Sequence, residues 1–219
     1  MSRSRDIADS TKTLDVDGGT IKLDGNYPTG TNNVALGDAA LASGSLSGGD
    51  NTAIGFQALT TNTSGTVNTA VGGDALRYNT TGGNNASLGV NALKQNTSGS
   101  YNTGIGRSAL QSNTTASSNT AVGYKAGYSN TTGTFNVALG ASALDANTTA
   151  TRNTALGYNA LTTNVLGSRS TAVGQGALEA QNPASSVDMY NTAVGAGAGQ
   201  AVTTGVQNTL IGGLAGDAL

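Results

Sequence analysis

The chain has 219 residues, of which 33 are Gly, 10% are charged and 4% are aromatic, and it contains no Cys, His or Trp. Ordinary globular domains hold about 7% Gly and about 25% charged residues, so this composition excludes a large aromatic core, while the lack of Cys and His excludes disulfides, thiolate metal sites and imidazole chemistry. A net charge of −2 with dispersed Lys and Arg argues against a nucleic-acid partner.

Residues 1–32 form the first predicted segment and contain no repeat. Residues 13–17 and 19–24 alternate between apolar and polar side chains as short strands do, and residues 27–30 are typical of a turn. We interpret this segment as a cap or attachment element. The basic start of the chain is not followed by an apolar stretch, so we expect neither a signal peptide nor insertion into a membrane.

Residues 33–219 form the second predicted domain, in which the motif Asn-Thr-Ala-aliphatic-Gly-x-x-Ala-Leu recurs. The eleven copies begin at Asn33, Asn51, Asn68, Asn85, Asn102, Asn119, Asn136, Asn153, Ser170, Asn191 and Asn208, a period of mostly 17 residues. Helical repeats need about 33 residues or more and tolerate Gly poorly. The pattern therefore predicts an all-β fold, a parallel β-solenoid of about eleven 17-residue coils, each with two short strands and two turns.

The fifth motif residue is Gly in all eleven copies, which predicts a tight corner where only a residue without Cβ fits. Eight consecutive corner glycines are Gly55, Gly72, Gly89, Gly106, Gly123, Gly140, Gly157 and Gly174. The leading Asn residues stack in the same way, and we expect their amides to hydrogen-bond along the stack rather than to hold a ligand. This predicted ladder comprises Asn51, Asn68, Asn85, Asn102, Asn119, Asn136 and Asn153.

Side chains alternate across a strand, which divides each motif into two faces. We expect the fourth, aliphatic residue and the second residue, Thr in eight copies, to point inward. The leading Asn and the small third residue would then face outward and allow another chain to approach closely. Because so thin a core stabilises a single chain weakly, we predict a homo-oligomer, preferably an intertwined or side-by-side trimer.

Variable positions indicate the exterior, and exposed aromatic and basic side chains there are candidates for receptor contact. These candidates are Phe56, Arg107, Tyr124, Lys125, Tyr158, Tyr101, Phe135 and Tyr190. Alternatively, they pack only on their own corners. Residues 179–190 contain four extra residues, which predicts a surface loop. The acidic residues lie in different coils, and no phosphate-binding or complete calcium loop is present, so we predict no enzyme activity, no cofactor and no metal.

The repeated string, seen at residues 51–58 and 153–160, resembles the head repeats of trimeric autotransporter adhesins and still more the repeat arrays in tail fibres of marine and cyanobacterial phages. The adhesin heads are left-handed parallel β-rolls assembled as homotrimers. The 17-residue unit is longer than the adhesin repeat. We also expect neither the signal peptide nor the C-terminal membrane barrel that an autotransporter needs, which favours the phage interpretation. This resemblance implies a virion protein made in the host cytoplasm, bound to other fibre proteins and to a glycan or protein receptor on the host surface.

Two alternatives stay open at this point. One is a head fragment of a bacterial trimeric surface adhesin, which neighbouring genes would distinguish from a virion protein. The other is an ice-binding β-solenoid. It is suggested by one Thr position repeated in six consecutive coils, namely Thr63, Thr80, Thr97, Thr114, Thr131 and Thr148.

Overall fold

The computed structural model describes residues 32–43 and 45–217, in which every regular element is a strand. The predicted attachment segment, apart from residue 32, lies outside these ranges. Within them, no helix is long and apolar enough to cross a membrane. The strands are β1 (Val34–Leu36), β2 (Thr52–Ile54), β3 (Thr69–Val71), β4 (Ala86–Leu88), β5 (Thr103–Ile105), β6 (Thr120–Val122), β7 (Val137–Leu139), β8 (Thr154–Leu156), β9 (Gly167–Ser168), β10 (Thr171–Val173), β11 (Val187–Asp188), β12 (Thr192–Val194) and β13 (Thr209–Ile211).

Eleven of these strands form one parallel sheet in the order β1 to β8, β10, β12 and β13. The register joins equivalent motif residues, as in Thr52 beside Thr69 and Ile54 beside Val71. The chain therefore completes about ten turns and returns each motif to the same place one layer further on. At about 4.8 Å per layer, the stack is roughly 50 Å long. This architecture confirms the predicted all-β parallel solenoid.

The prediction of two strands in every coil is wrong. The Ala-Leu segment of each motif lies in a turn, and Leu59 there has a left-handed φ of 51°. That conformation directs the Leu59 side chain into the core, where it is fully buried, while its N–H donates to the carbonyl oxygen of Ala75 in the next coil. Contacts between coils thus hold a backbone conformation that a non-Gly residue adopts only at a cost.

The predicted assignment of strand faces is also wrong. In the second coil, the fully buried residues are Asn51, Ala53, Ala58, Leu59 and Asn62. The second and fourth motif residues instead point away from the core and are exposed or half-buried in every coil.

The width of the coil explains this orientation. A Cβ built at Gly104, the third motif residue of its coil, would lie only 3.2 Å from Leu93 Cγ. Leu side chains from the turns therefore reach across to the strand, and the third motif residue is Ala, Ser or Gly in the first ten coils. In the last coil this residue is Leu210, which lies beside Gly199 and Gly216, where most other turns carry Leu. The small residues form the core wall rather than a subunit contact, so the surface proposed for the trimer must be sought elsewhere.

The 21-residue coil forms the predicted surface loop in part. Residues 184–188 are exposed, whereas Gln181, Pro183 and Met189 are buried. Within this coil, β11 pairs in parallel with β9 of the preceding coil. The extra residues therefore bulge locally and leave the register of the main sheet unchanged.

Candidate functional site

The leading Asn residues lie inside the solenoid and form a hydrogen-bonded ladder. At a typical step, the backbone N–H and the side-chain Nδ2 of Asn68 donate to Asn51 Oδ1 at 3.0 and 3.1 Å. The same Nδ2 donates to the carbonyl oxygen of Gly82 at 2.9 Å. The backbone bond repeats at every step from Asn51 to Asn153. These amides are occupied by the fold itself.

A second Asn ladder, which we did not predict from the sequence, runs beside the first. At a typical step, Asn79 Nδ2 donates to Asn62 Oδ1 at 2.8 Å and to the carbonyl oxygen of Gly82 at 2.9 Å. The signal was available, because Asn recurs every 17 residues. The hydrogen-bonded members are Asn62, Asn79, Asn96, Asn113, Asn130 and Asn147. Asn164 occupies the same position in the next coil, but its Nδ2 donates to the carbonyl oxygen of Gly167, and Asn147 Oδ1 accepts no hydrogen bond from the described part of the chain.

In one coil, neither ladder position is occupied by Asn. Ser170 replaces the leading Asn, and the longer Gln181 replaces the Asn of the second ladder. Gln181 Nε2 donates to Asn164 Oδ1 at 3.2 Å, while Gln181 Oε1 accepts from Asn191 Nδ2 at 2.8 Å and from Ser170 Oγ at 3.2 Å. The Gln181 amide therefore supplies the acceptor that an Asn at position 170 would offer, and it links the two ladders.

The corner glycines stack directly on one another. At Gly123 the φ angle is +133°, and a Cβ there would lie 2.7 Å from the carbonyl carbon and oxygen of Gly140 in the next coil. Both the left-handed backbone and the close approach of the next coil therefore require Gly. In the last coil, Gly212 has a similar φ of +122° but no neighbouring atom within 4 Å of the added Cβ.

We define the outward face as the second and fourth residues of the eleven motifs. All 22 of these positions hold Thr, Ala, Val, Leu or Ile, and none is charged. Large aliphatic side chains are exposed here, with Leu88 at 50% and Leu139 at 44% exposure. A polar surface elsewhere on the same coils offers a contrast, since the exposed position two residues after each ladder Asn from Asn62 to Asn147 is Ser or Thr, as in Ser64, Thr81 and Ser98, whereas half-buried Leu166 follows Asn164.

Two columns of exposed or half-buried residues border the outward face. The leading column precedes each motif and consists of Asn32, Asp50, Val67, Asn84, Tyr101, Ser118, Phe135, Arg152, Arg169, Tyr190 and Gln207. The trailing column follows each corner Gly and consists of Asp38, Phe56, Gly73, Val90, Arg107, Tyr124, Ala141, Tyr158, Gln175, Ala196 and Gly213. Two residues that flank the same motif, one from each column, lie at the same level.

Seven of the eight receptor-contact candidates lie in these two columns. Phe56, Arg107, Tyr124 and Tyr158 belong to the trailing column, and Tyr101, Phe135 and Tyr190 belong to the leading column. All seven are exposed. The structure therefore distributes them along both borders of the outward face.

Basic side chains contact several of these rings. Arg152 Cζ lies 5.5 Å from the centroid of the Phe135 ring, and Arg169 Cζ lies 5.6 Å from that of Tyr190. Lys125, the eighth candidate, is half-buried with Nζ 5.7 Å from the centroid of the Tyr124 ring. Such contacts hold the aromatic rings in defined positions on the surface.

The Thr row that suggested ice binding is half-buried and internally bonded. Thr63 Oγ1 donates to the carbonyl oxygen of Thr80 at 2.9 Å, and Thr80 Oγ1 donates likewise to Thr97. The bond repeats along the row. These hydroxyl protons are therefore committed to the fold, whereas the Thr residues of the outward face lie at the surface.

Titratable groups are sparse on this scaffold. Burial raises the pKa of Asp145 above its ordinary value of 3.8, and the charge of Lys125 opposes part of that rise. Among the described residues, no cluster of three or more acidic side chains could hold a metal ion. Asp145 lies away from the outward face, in the turn that follows the buried Leu144.

Comparison of the chain with protein-family models, with curated proteins and with solved structures finds no match.

Proposed function

We propose that this chain is a structural and adhesive segment of a virion fibre, a homotrimeric β-solenoid that serves attachment to a host cell surface. The observation that carries the proposal is the outward face, an aliphatic and Thr surface without charge on a chain that has 22 charged residues elsewhere. The resemblance to phage tail-fibre arrays and adhesin heads supplies the class of function, and the left-handed β-roll remains part of that resemblance.

The size of the outward face supports its burial against other chains. Eleven strands at about 4.8 Å, each roughly 10 Å wide, give an area on the order of 500 Å² per chain. Aliphatic residues occupy 14 of the 22 positions and Thr the other eight, and exposed surfaces of several hundred Å² that are mainly apolar mark interaction sites. Burying it is worth on the order of 10 kcal/mol per chain before the cost of association.

Other copies of the same chain are the proposed occupants of this face. Neighbouring strands are about 4.8 Å apart in every copy, and all copies have the same length. Each strand of one copy can therefore lie opposite a strand of the other along the whole stack. Three such faces around a common axis bury one another in a closed cyclic assembly, which leaves no unpaired face to polymerise. The polar column that includes Ser64, Thr81 and Ser98 stays in water.

Attachment follows from trimerisation through avidity. Three copies present every surface contact three times, and linked weak contacts raise overall affinity by about 10²–10⁴-fold. The test compares binding of the purified chain to a panel of marine bacteria and cyanobacteria with that of the variant Leu139→Asp. This variant places a charge on the outward face. Ser98→Asp, which places the same charge on the polar column, is the matched control.

We expect the parent chain and Ser98→Asp to bind at least one strain and to compete with a phage of that strain, and Leu139→Asp to lose most of its binding. Equal binding by Leu139→Asp would contradict the role of the outward face. Absence of both binding and competition for the parent chain would reduce the proposal to a fibre spacer.

Ice binding is the second candidate, because the outward face also carries a regular column of surface Thr residues on a flat sheet. Eight of its eleven members are Thr, namely Thr52, Thr69, Thr103, Thr120, Thr154, Thr171, Thr192 and Thr209. This candidate requires an outward face open to water and hence a monomer. Thermal hysteresis at millimolar protein would support it, and no hysteresis would remove it.

A further inference from the structure

We propose that the leading and trailing columns are the two complementary halves of the contact between neighbouring chains, with Tyr101 stacked on Arg107 of the adjacent copy and Arg152 on Tyr158 of the adjacent copy. This inference rests on the trimer proposed above and specifies how its chains are aligned. It reassigns Tyr101, Arg107 and Tyr158 from receptor contact to subunit contact.

Within one chain, residues of the two columns at the same level lie too far apart to contact each other. Tyr101 lies two residues before β5 and Arg107 two residues after it. Six residues of nearly extended backbone separate their Cα atoms by roughly 15–20 Å. Any matching between residues at the same level must therefore act between molecules.

Rotational symmetry determines which residues would meet. In a ring of chains related by rotation about an axis parallel to the stack, each coil faces the coil of the same number in its neighbour. The contact is heterologous, so the leading column of one chain faces the trailing column of the next. Residues at the same level are then opposed.

The columns are matched in size and charge at these levels. Six aromatic residues occupy the two columns, and no two of them share a level. Two of them, Tyr101 and Tyr158, share a level with an Arg, and the other four share a level with Ala, Ser or Asp. No level carries two charges of the same sign. Aromatic rings therefore meet either a guanidinium, which stacks on them favourably, or a small partner that leaves them room.

A displacement by one coil weakens this match. In one direction it opposes Asp38 and Asp50, which repel each other, and moves Arg107 from Tyr101 to Ser118, although Tyr158 then meets Arg169. In the other direction it places Arg107 opposite Asn84 and Arg152 opposite Gln175, so that neither guanidinium meets a ring. The columns thus specify a register that the outward face, being uniform along its length, cannot specify alone.

The four side chains are available for this contact. Tyr101 is 65% and Tyr158 54% exposed. Arg107 and Arg152 are also exposed, and neither forms an ion pair with any residue that the structure describes. One face of the Arg152 guanidinium lies over Phe135 of its own chain, which orients the group and leaves its other face for a partner ring.

The chain contains no Cys, so pairs of introduced Cys residues can test the register directly. The full chain carrying Tyr101→Cys and Arg107→Cys is treated with a short bismaleimide and run on a denaturing gel. Arg152→Cys with Tyr158→Cys is a second, independent pair. The controls are each single variant and the displaced pair Asn84→Cys with Arg107→Cys, and light scattering gives the mass of every variant before treatment.

We expect both matched pairs to yield covalent trimers, and the single variants and the displaced pair to remain monomers on the gel. A trimeric mass combined with linking of the displaced pair, or with linking of no pair, would overturn the register and leave the proposed trimer intact. A monomeric mass for the parent chain would overturn both.

Discussion

The corner glycines lie where the next coil leaves no space for a Cβ atom. A Cβ at Gly123 would lie 2.7 Å from the backbone of Gly140, closer than nonbonded carbon atoms approach. The backbone of the next coil cannot move aside without breaking its own strand pairing. The identity of these residues is therefore determined by the stacking of coils rather than by chain reversal alone.

The substitution Gly123→Ala tests this point against Gly212→Ala, which has a similar φ but open space around the added atom. Both variants bear the strain of a left-handed Ala, and only the first adds the clash with the next coil. We expect Gly123→Ala to reduce the free energy of unfolding by roughly 1–3 kcal/mol more than Gly212→Ala, measured by guanidinium denaturation. Equal losses would show that φ alone selects Gly.

Asp145 gives the molecule a measurable dependence on pH. Burial raises the pKa of its carboxyl group in the folded chain above 3.8, so the folded state binds the proton more tightly than the unfolded state. The stability contributed by this group is therefore lost as the pH rises through the raised pKa. Well below pH 3.8 the group is protonated in both states, so this stability is fully present there and no longer changes with pH.

The variant Asp145→Asn removes this titration. We expect it to match the parent chain in thermal stability at pH 3.5 and to become more stable than the parent as the pH rises towards 7, because the buried charge is no longer formed. The difference in melting temperature between the two chains is the quantity to follow. A difference of the opposite sign at neutral pH would mean that the attraction to Lys125 outweighs burial.

At the scale of single elements, the two Asn ladders organise each coil. They satisfy buried backbone groups in the turns, such as the carbonyl oxygen of Gly82, which accepts from both Asn68 and Asn79, and such groups are costly when left unpaired. In the coil that carries Ser170 and Gln181, a smaller side chain in the first ladder is offset by a longer one in the second. The Gln181 amide still forms hydrogen bonds to the coils on both sides.

A double-mutant cycle on Ser170→Asn and Gln181→Asn measures the coupling free energy between these two positions. Ser170→Asn alone crowds the Gln181 amide, and Gln181→Asn alone removes the acceptor used by Asn191 and Ser170. We expect each single variant to lose stability in chemical denaturation and the double variant to lose less than their sum, with a coupling of about 1–2 kcal/mol. Additive losses would indicate that the two residues act independently.

Much of this element structure could be predicted from the repeat. The 17-residue period gave the parallel stack and its register, and the invariant Gly gave the corner. The direction of the strand could not be obtained from periodicity, since Thr52 with Ile54 and Asn51 with Ala53 alternate equally well. Only the reach of Leu59 from the opposite turn, in a left-handed conformation that propensity disfavours, decides that Ala53 points inward.

The candidate site was predictable to a similar extent. The variable positions correctly indicated exposed residues, including Tyr101 and Tyr158. Their arrangement as two columns bordering one apolar face depends on the strand direction and hence was not available from the sequence alone. The second ladder beginning at Asn62 was missed because Asn followed by Thr and Gly is equally typical of a solvated turn.

At the scale of the whole molecule, the described chain buries the Asn side chains of its two ladders and leaves part of its large aliphatic residues exposed on the outward face. A solenoid about 50 Å long with such a face is suited to be one strand of a thicker fibre, and its repeated layers favour partners with the same spacing. The central claim is therefore that the outward face is covered by two other copies of this chain.

The mass of the purified full chain in solution, measured by light scattering on a sizing column, tests that claim most directly. For the proposed homotrimer we expect about 64 kDa, three times the chain mass of 21.4 kDa. A mass near 21.4 kDa at micromolar concentration would contradict it, because the aliphatic residues of the outward face would then be exposed to water in the native protein.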